Sequence, residues 1–286
     1  MTTMFSKPVI KNVNSFGIAL CSRNKNGEPI VLLVKRKNTY PFMDFVNSNY
    51  NTKNLRELIS MLDKMTKKEK ESIMTSISTI PNPDFDVIWE KAWYKYCFPY
   101  VPSIFKKLYK FNKKKFFNIY NNQINKDMLI SLIQNSRNVK LEWEIPKGRK
   151  KSNETDHETA IREFEEETNV NLQNFNLLFD VDPFIISNKD KGIFWHNTIY
   201  IGYIDYKLID KAYLKDNNII QTSEICDLKW FSMKDIINMN DSFEINGKYI
   251  KYTNKYEYDT RVLYSLPRLC QIIFKKYNSL VHNEIV

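Results

Sequence analysis

The sequence predicts an α/β fold interrupted by an all-helical insert. Three observations carry this reading. Apolar residues alternate with period two near residues 16–34 and again between residues 172 and 231. Between residues 39 and 138 they recur at helical spacing instead, with prolines as punctuation. A capped, uninterrupted helix is expected at Thr155–Thr168. The expected division is an α/β domain formed by residues 1–38 and 139–286, with residues 39–138 inserted into it. With 286 residues and 43% hydrophobic content, the chain can bury one large core or two small ones, which excludes global disorder.

In chain order, Ser15–Lys37 reads as a β-hairpin. Phe16, Ile18 and Leu20 alternate, Asn24–Pro29 is rich in turn formers, and Ile30–Val34 is an apolar strand. In the insert, Leu55, Leu58, Ile59 and Leu62 mark one helix face, and Thr66 with Glu69 forms a capping box before a second helix. Pro81 and Pro83 break the chain, and Asp84 can cap a helix carrying Phe85, Ile88, Trp89 and Tyr96. Further helical stretches lie at Ile104–Asn121 and Met128–Ile133. After residue 170, strands are expected at Leu172–Phe179, Phe184–Ser187, Ile193–Ile204 (with a bulge at Gly202) and Cys226–Phe231. Ser232 with Asp235 caps a short helix, Asn246-Gly247 marks a hairpin turn, and an amphipathic helix starts near Pro267.

Trp143–Val170 carries the chemistry. At about 100° per residue, Glu163, Glu166 and Glu167 share one helix face, while Ala160, Ile161, Phe164 and Thr168 share another. Like charges at this spacing cost roughly 0.2–0.5 kcal/mol per pair, and the C-terminal half of a helix disfavours anions. A hard divalent cation would remove that repulsion and favours oxygen ligands. Upstream, Lys147, Gly148, Arg149, Lys150 and Lys151 form a basic turn suited to phosphates. Cations running into a carboxylate helix fit metal-assisted attack on a phosphoanhydride.

The charge balance points to a polyanionic partner. Net charge is +10, and residues 40–140 hold 17 Lys and Arg against 9 Asp and Glu. The sharpest cluster is Lys106, Lys107, Lys110, Lys113, Lys114 and Lys115, interleaved with Phe105, Tyr109, Phe111, Phe116 and Phe117. It reads as a backbone-tracking surface with aromatics available for base stacking. Its competing reading is an ordinary amphipathic helix with a solvated lysine face. The four scattered cysteines and three isolated histidines argue against zinc or a disulfide framework and for buried free thiols. No apolar run reaches a membrane span and no signal peptide is evident, so a soluble intracellular protein is expected.

Gly148, Glu154, Arg162, Glu163, Glu166 and Glu167 follow the pattern G-x5-E-x7-R-E-F-x-E-E-x-N-V over residues 148–170. This resembles the Nudix box, departing only at Asn169, where the family has glycine. Asn tolerates the left-handed conformation of a helix C-cap, so the departure is mild. The flanking WEIPKG and AIREFEEET are similar to the mRNA-decapping Nudix enzymes of large cytoplasmic DNA viruses, of the asfarviral, poxviral and mimiviral kinds.

The resemblance implies an α/β/α sandwich and a capped-mRNA substrate cut to m7GDP and 5′-monophosphate RNA. It implies Mg2+ or Mn2+ held by Glu163, Glu166, Glu167 and the Gly148 carbonyl. Glu163 is the expected catalytic residue, with Glu167 and the loop residue Glu224 also candidates for the base. Arg162 is expected to pair with Glu154, while Lys147, Arg149 and Lys150 contact phosphates. It further implies that the insert acts on RNA and that the protein works in the cytoplasm of an infected host cell, with virion association left open. The oligomeric state stays open. Two alternatives remain at this point: a hydrolase of diphosphoinositol or dinucleoside polyphosphates, and an inactive cap- or RNA-binding protein on the same scaffold. Tyr40, Phe42, Phe184, Trp195 and Tyr203 are all possible stacking partners for the methylated guanine, which is cationic.

Overall fold

The computed structural model describes residues 11–51, 53–78, 110–118, 125–179, 181–190, 193–238, 249–254, 257–263 and 266–281. The expected helix at 85–96, Lys106, Lys107, Cys97 and the Asn246-Gly247 turn lie outside them. The chain divides into two compact units. The first comprises Met1–Val34, Trp143–Lys215 and Asp227–Val286; the second comprises Lys35–Glu142 and Asp216–Cys226. Among the described residues, no helix is long and apolar enough to cross a membrane.

A mixed sheet organises the first unit. Strand β1 (Lys11–Arg23) is its spine. It runs parallel to β7 (Ile193–Tyr203), from Lys11 opposite Ile193 to Cys21 opposite Tyr203. Its other edge is shared. Cys21–Arg23 pair with Pro29–Val31 of β2 (Pro29–Arg36), and Ser15–Gly17 pair with β4 (Lys147–Arg149). The expected hairpin is thus present, closed through Gly27 at φ 80°. A Cβ on Gly17 would lie 2.5 Å from Lys147 Cβ and closer still to Pro146 O, so only glycine lets β4 approach. Strand β6 (Phe184–Asp190) pairs with β7 and with β9 (Tyr249–Asn254), and β10 (Glu257–Leu263) completes that side.

Alternation along the strands gives the sheet two apolar faces, each covered by a helix. Phe16, Ile18, Leu20, Leu32 and Tyr200 pack with Ala160 and Phe164 of the helix Asp156–Thr168. Ala19, Cys21, Val31, Leu33, Ile199 and Ile201 pack with Leu269, Cys270, Ile273 and Tyr277 of the C-terminal helix Leu266–Val281. The result is the α/β/α sandwich. Each fully buried apolar side chain of this size contributes about 1.5–3 kcal/mol.

Two strand expectations change. Leu172–Phe179 is a 3-10 turn at Leu172–Asn174 followed by only Asn176–Leu177 as strand β5, because Leu172 N–H bonds the Glu165 carboxylate at 2.7 Å and holds the chain against the helix end. Gly202 is not a bulge: pairing runs through it without a register shift. A Cβ there would meet Leu20, Ile18 and Phe175 side chains at 3.1–3.3 Å, so the glycine serves close packing under the helix. Cys21 and Cys270 are buried free thiols, as expected, and burial holds both well above the usual thiol range. Cys226 is exposed instead.

The second unit has its own helical core. Phe42, Phe45, Val46, Leu58, Leu62, Met65, Ile73, Phe116, Leu129 and Ile133 are buried together. Glu69 ties its helices. Its carboxylate accepts from Thr66 N at 2.8 Å, Thr39 N at 2.6 Å and Thr39 Oγ1 at 3.0 Å. One buried carboxylate thereby caps its own helix (Lys67–Ser78) and anchors the N-cap residue of another (Tyr40–Val46). Residues 110–118 are helical and bury Phe116 against Phe45 at a ring distance of 5.7 Å.

Candidate active site

The acidic helix starts and stops as its sequence dictates. Thr155 and Glu158 form the reciprocal capping box, with Glu158 N bonding Thr155 Oγ1 at 3.2 Å and Thr155 N bonding Glu158 Oε2 at 2.7 Å. Asn169 ends the helix at φ 65°, the left-handed cap expected where the related pattern has glycine. With Phe164 fixed in the core, Glu163 and Glu167 point toward the turn carrying Gly148.

That turn is fitted to Glu163. A Cβ on Gly148 would stand 2.5 Å from Glu163 Oε1 and closer still to Cδ and Oε2. The carboxylate therefore fills the space a side chain would take, directly against the backbone. Glu167 is buried at 4% exposure, and its Oε2 accepts from Lys147 N at 3.1 Å. Two carboxylates of one helix thus hold successive residues of the basic turn.

Arg162 contacts three carboxylates of the cluster. Its Nε donates to Glu154 Oε1 at 2.6 Å and its Nη2 to Glu154 Oε2 at 3.0 Å, a bidentate pair. Nη2 also donates to the Arg149 carbonyl at 3.0 Å. Nη1 lies 2.7 Å from Glu163 Oε1 and 3.4 Å from Glu166 Oε2. Lys151 reaches Glu166 Oε1 at 3.3 Å. The Arg162–Glu154 pairing is as the sequence implied, and Arg162 also offsets the repulsion between Glu163 and Glu166 by reaching both.

These contacts move the acidities in opposite directions. The Arg162 hydrogen bonds hold Glu154 down at about 2 against the opposing effect of desolvation, helped by the Lys151 N–H and the Thr159 hydroxyl. Burial pushes Glu163 up, and Arg162 only partly offsets it. Among the described residues no three His, Cys, Asp or Glu side chains converge as a metal-holding group. The donor set nevertheless fits a hard cation. Glu163, Glu166 and Glu167 line one face, the Gly148 backbone lies against Glu163, and Glu163 is a partly buried carboxylate whose desolvation the arginine does not fully offset.

The expected phosphate-binding cations have partners within the protein. Lys147 pairs with Glu144, a carboxylate the sequence reading passed over although it lies three residues away. Lys150 pairs with Asp156 at 2.7 Å, and the Arg149 guanidinium lies 5.5 Å from the Trp195 ring centre. Glu224 closes the short helix Ile219–Glu224 in the second unit, where its carbonyl accepts from Lys37 N at 2.7 Å. The structure does not place it in the unit that carries the other carboxylates.

Of the expected RNA-binding lysines, Lys110, Lys113, Lys114 and Lys115 lie on the helix at 110–118. Lys110 and Lys114 are exposed, Lys113 sits 5.8 Å from the Phe117 ring centre, and Lys115 donates to Ser48 O at 2.8 Å. Phe111 is exposed at 67%, whereas Phe116 is at 1% and belongs to the core rather than to a stacking surface.

Comparison with known proteins agrees with this geometry. Residues 117–252 match the NUDIX domain model. Over 167 residues the chain is 34% identical to mRNA-decapping protein g5R of an African swine fever virus isolate from a Kenyan pig, spanning 57% of this chain and 62% of that protein. The same-named protein of a Namibian warthog isolate is 33% identical over 167 residues, with the same shares of 57% and 62%. The match therefore spans less than two thirds of those relatives' length. Among solved structures, a binary complex of a C. elegans Ap4A hydrolase aligns over 95% of this chain and 98% of that chain at 12% identity, with a TM-score of 0.40. A mutT/nudix family protein from Listeria innocua aligns over 96% and 97% at 13% identity, with a TM-score of 0.36. The carboxylate helix and the Gly148 turn lie within the stretch that matches the NUDIX domain model.

Proposed function

We propose that this protein hydrolyses the phosphoanhydride linkage of the 5′ cap of RNA, releasing m7GDP and 5′-monophosphate RNA. The observation that carries the reading is the Glu163 carboxylate seated on the Gly148 backbone within a fully carboxylated box. A module that only bound RNA would have little reason to keep such crowded, partly buried charge. Identity to the decapping proteins of African swine fever virus supports the choice of substrate. So does the balance of 17 Lys and Arg to 9 Asp and Glu in residues 40–140.

Nudix hydrolases generally use divalent metal ions. Mg2+ or Mn2+ held by Glu163, Glu166, Glu167 and the Gly148 carbonyl would polarise a phosphate oxygen and acidify a water. The chain's own residues do the rest. Glu163, seated against the Gly148 backbone, is our first choice of base ahead of Glu167 and Glu224. Arg162 fixes the turn through Glu154 and the Arg149 carbonyl. Lys147, Arg149 and Lys150 exchange their present partners for phosphate oxygens, and the lysines between 106 and 115 hold the RNA body. The reading also places the protein in the cytoplasm of an infected host cell.

The test is incubation of cap-labelled RNA with Mg2+ or Mn2+, with uncapped RNA as competitor. Release of labelled m7GDP, inhibited by uncapped RNA, is expected. A protein that binds capped RNA tightly but releases no labelled product with either ion defeats the proposal.

A further inference from the structure

We infer that Trp195 is the platform on which the methylated guanine of the cap stacks, with Arg149 holding the indole face until the base arrives. The inference rests on the decapping reading and deepens it.

Five aromatics were equivalent in the sequence; the structure separates them. Phe42 and Phe184 are core residues at 6% and 0% exposure. Tyr203 is stacked on Tyr277, 6.0 Å between centres. Tyr40 belongs to the second unit, where Arg36 covers its ring at 4.6 Å. Trp195 alone of the five shares a unit with the Gly148 turn while remaining half-buried and outside the packed core.

Register places it beside the site. Arg149 pairs with Ser15, Ser15 pairs with Asn197, and Trp195 is two residues before Asn197 on the same face. Gly148, the next residue back along β4, presents its open side to Glu163 on the opposite face. Gly148 and Arg149 are consecutive, so the residue under the carboxylates and the residue whose side chain covers the indole are neighbours in one strand, with their open sides on opposite faces. Residues further along β7 on this face, Ile199 and Ile201, are sealed by the C-terminal helix.

The occupant's chemistry follows from what covers the ring now. A guanidinium 5.5 Å from the centroid shows that the indole face accepts a delocalised, planar cation. Methylation at N7 gives guanine that same character. The Arg149 backbone is fixed by Arg162, so only its side chain has to swing away, and the swing carries its charge toward the phosphates. Asn188, directly opposite Trp195 in β6, and Asn197, which accepts from Ser15 Oγ, supply carboxamides able to donate and accept at the base edge.

The test compares m7GDP with GDP on the full chain, by fluorescence titration of the wild type, Trp195→Ala and Trp195→Phe, alongside cleavage of m7G-capped and unmethylated G-capped RNA. Trp195→Ala should weaken m7GDP about tenfold and GDP no more than about twofold. KM for m7G-capped RNA should rise in parallel while kcat changes little. Trp195→Phe should keep an intermediate preference, and it carries the same test if the alanine variant does not fold. Equal loss for both nucleotides, or no loss for either, overturns the platform. A wild type that prefers m7GDP yet cleaves no capped RNA would defeat the decapping reading and leave the platform standing. A wild type that decaps, with a Trp195→Ala variant of unchanged preference, would defeat the platform alone.

Discussion

Gly148→Ala is the perturbation that most directly separates fold from function. The new methyl would enter the space of the Glu163 carboxylate, 2.5 Å from Oε1 and closer still to Cδ and Oε2. Ordinary contact between such atoms is about 3.5 Å, so the carboxylate must retreat by at least about 1 Å. It stands at the far end of a flexible side chain, and Gly148 is not among the residues at positive φ. The backbone therefore accepts alanine, and relocating the carboxylate should cost the fold only about 1 kcal/mol, the lower end of an off-rotamer shift with overpacking. Misplacing a catalytic group by about 1 Å can cost on the order of 100-fold in rate. The expected result is a melting temperature within a few degrees of wild type and a fall of about 100-fold in kcat for release of m7GDP from cap-labelled RNA. Circular dichroism and single-turnover kinetics on one preparation check both halves. Wild-type kcat in Gly148→Ala would refute the placement of Glu163 at the reacting centre. Global unfolding would refute the claim that the clash is confined to one side chain.

Glu163→Gln should lose about 100- to 10,000-fold in rate, the usual contribution of a proton-transfer group, while thermal stability holds or rises because a carboxylate disfavoured by burial has been removed. Glu154 gives a pH signature. Its folded-state pKa is held at about 2 against an ordinary value of 4.5, so its stabilisation is fully present above 4.5 and drains away as pH falls toward 2. Melting curves over that window should fall more steeply for wild type than for Glu154→Gln; superimposable acid limbs would contradict the Arg162–Glu154 assignment. Glu69→Ala removes a buried carboxylate that accepts three hydrogen bonds, and it should destabilise the helical unit by about 3 kcal/mol in denaturant unfolding. Thr155→Ala should cost about 1 kcal/mol, since it deletes one half of the capping box.

The sequence by itself determined what is encoded within a few residues. The Thr155 capping box, the left-handed cap at Asn169 and the shared face of Glu163, Glu166 and Glu167 follow from helical geometry and local hydrogen bonding. So do the Ser232–Asp235 cap and the hairpin around Gly27. Tertiary structure decided what depends on which strand lies beside which. That the Glu163 carboxylate rests on Gly148 requires β4 to reach β1 across Gly17, more than a hundred residues away in the chain. Local period could equally have made Leu172–Phe179 a strand, until the Glu165 carboxylate took Leu172 N–H. Phe116 looked like its aromatic neighbours until packing against Phe45 made it core. Composition showed only a basic turn; packing assigned Lys147 to Glu144, Lys150 to Asp156 and Arg149 to the face of Trp195. The physical reason is the same in each case. Caps and helix faces are set by neighbours at three or four residues' distance, whereas the partner of a long charged or aromatic side chain is set by the closure of the whole chain.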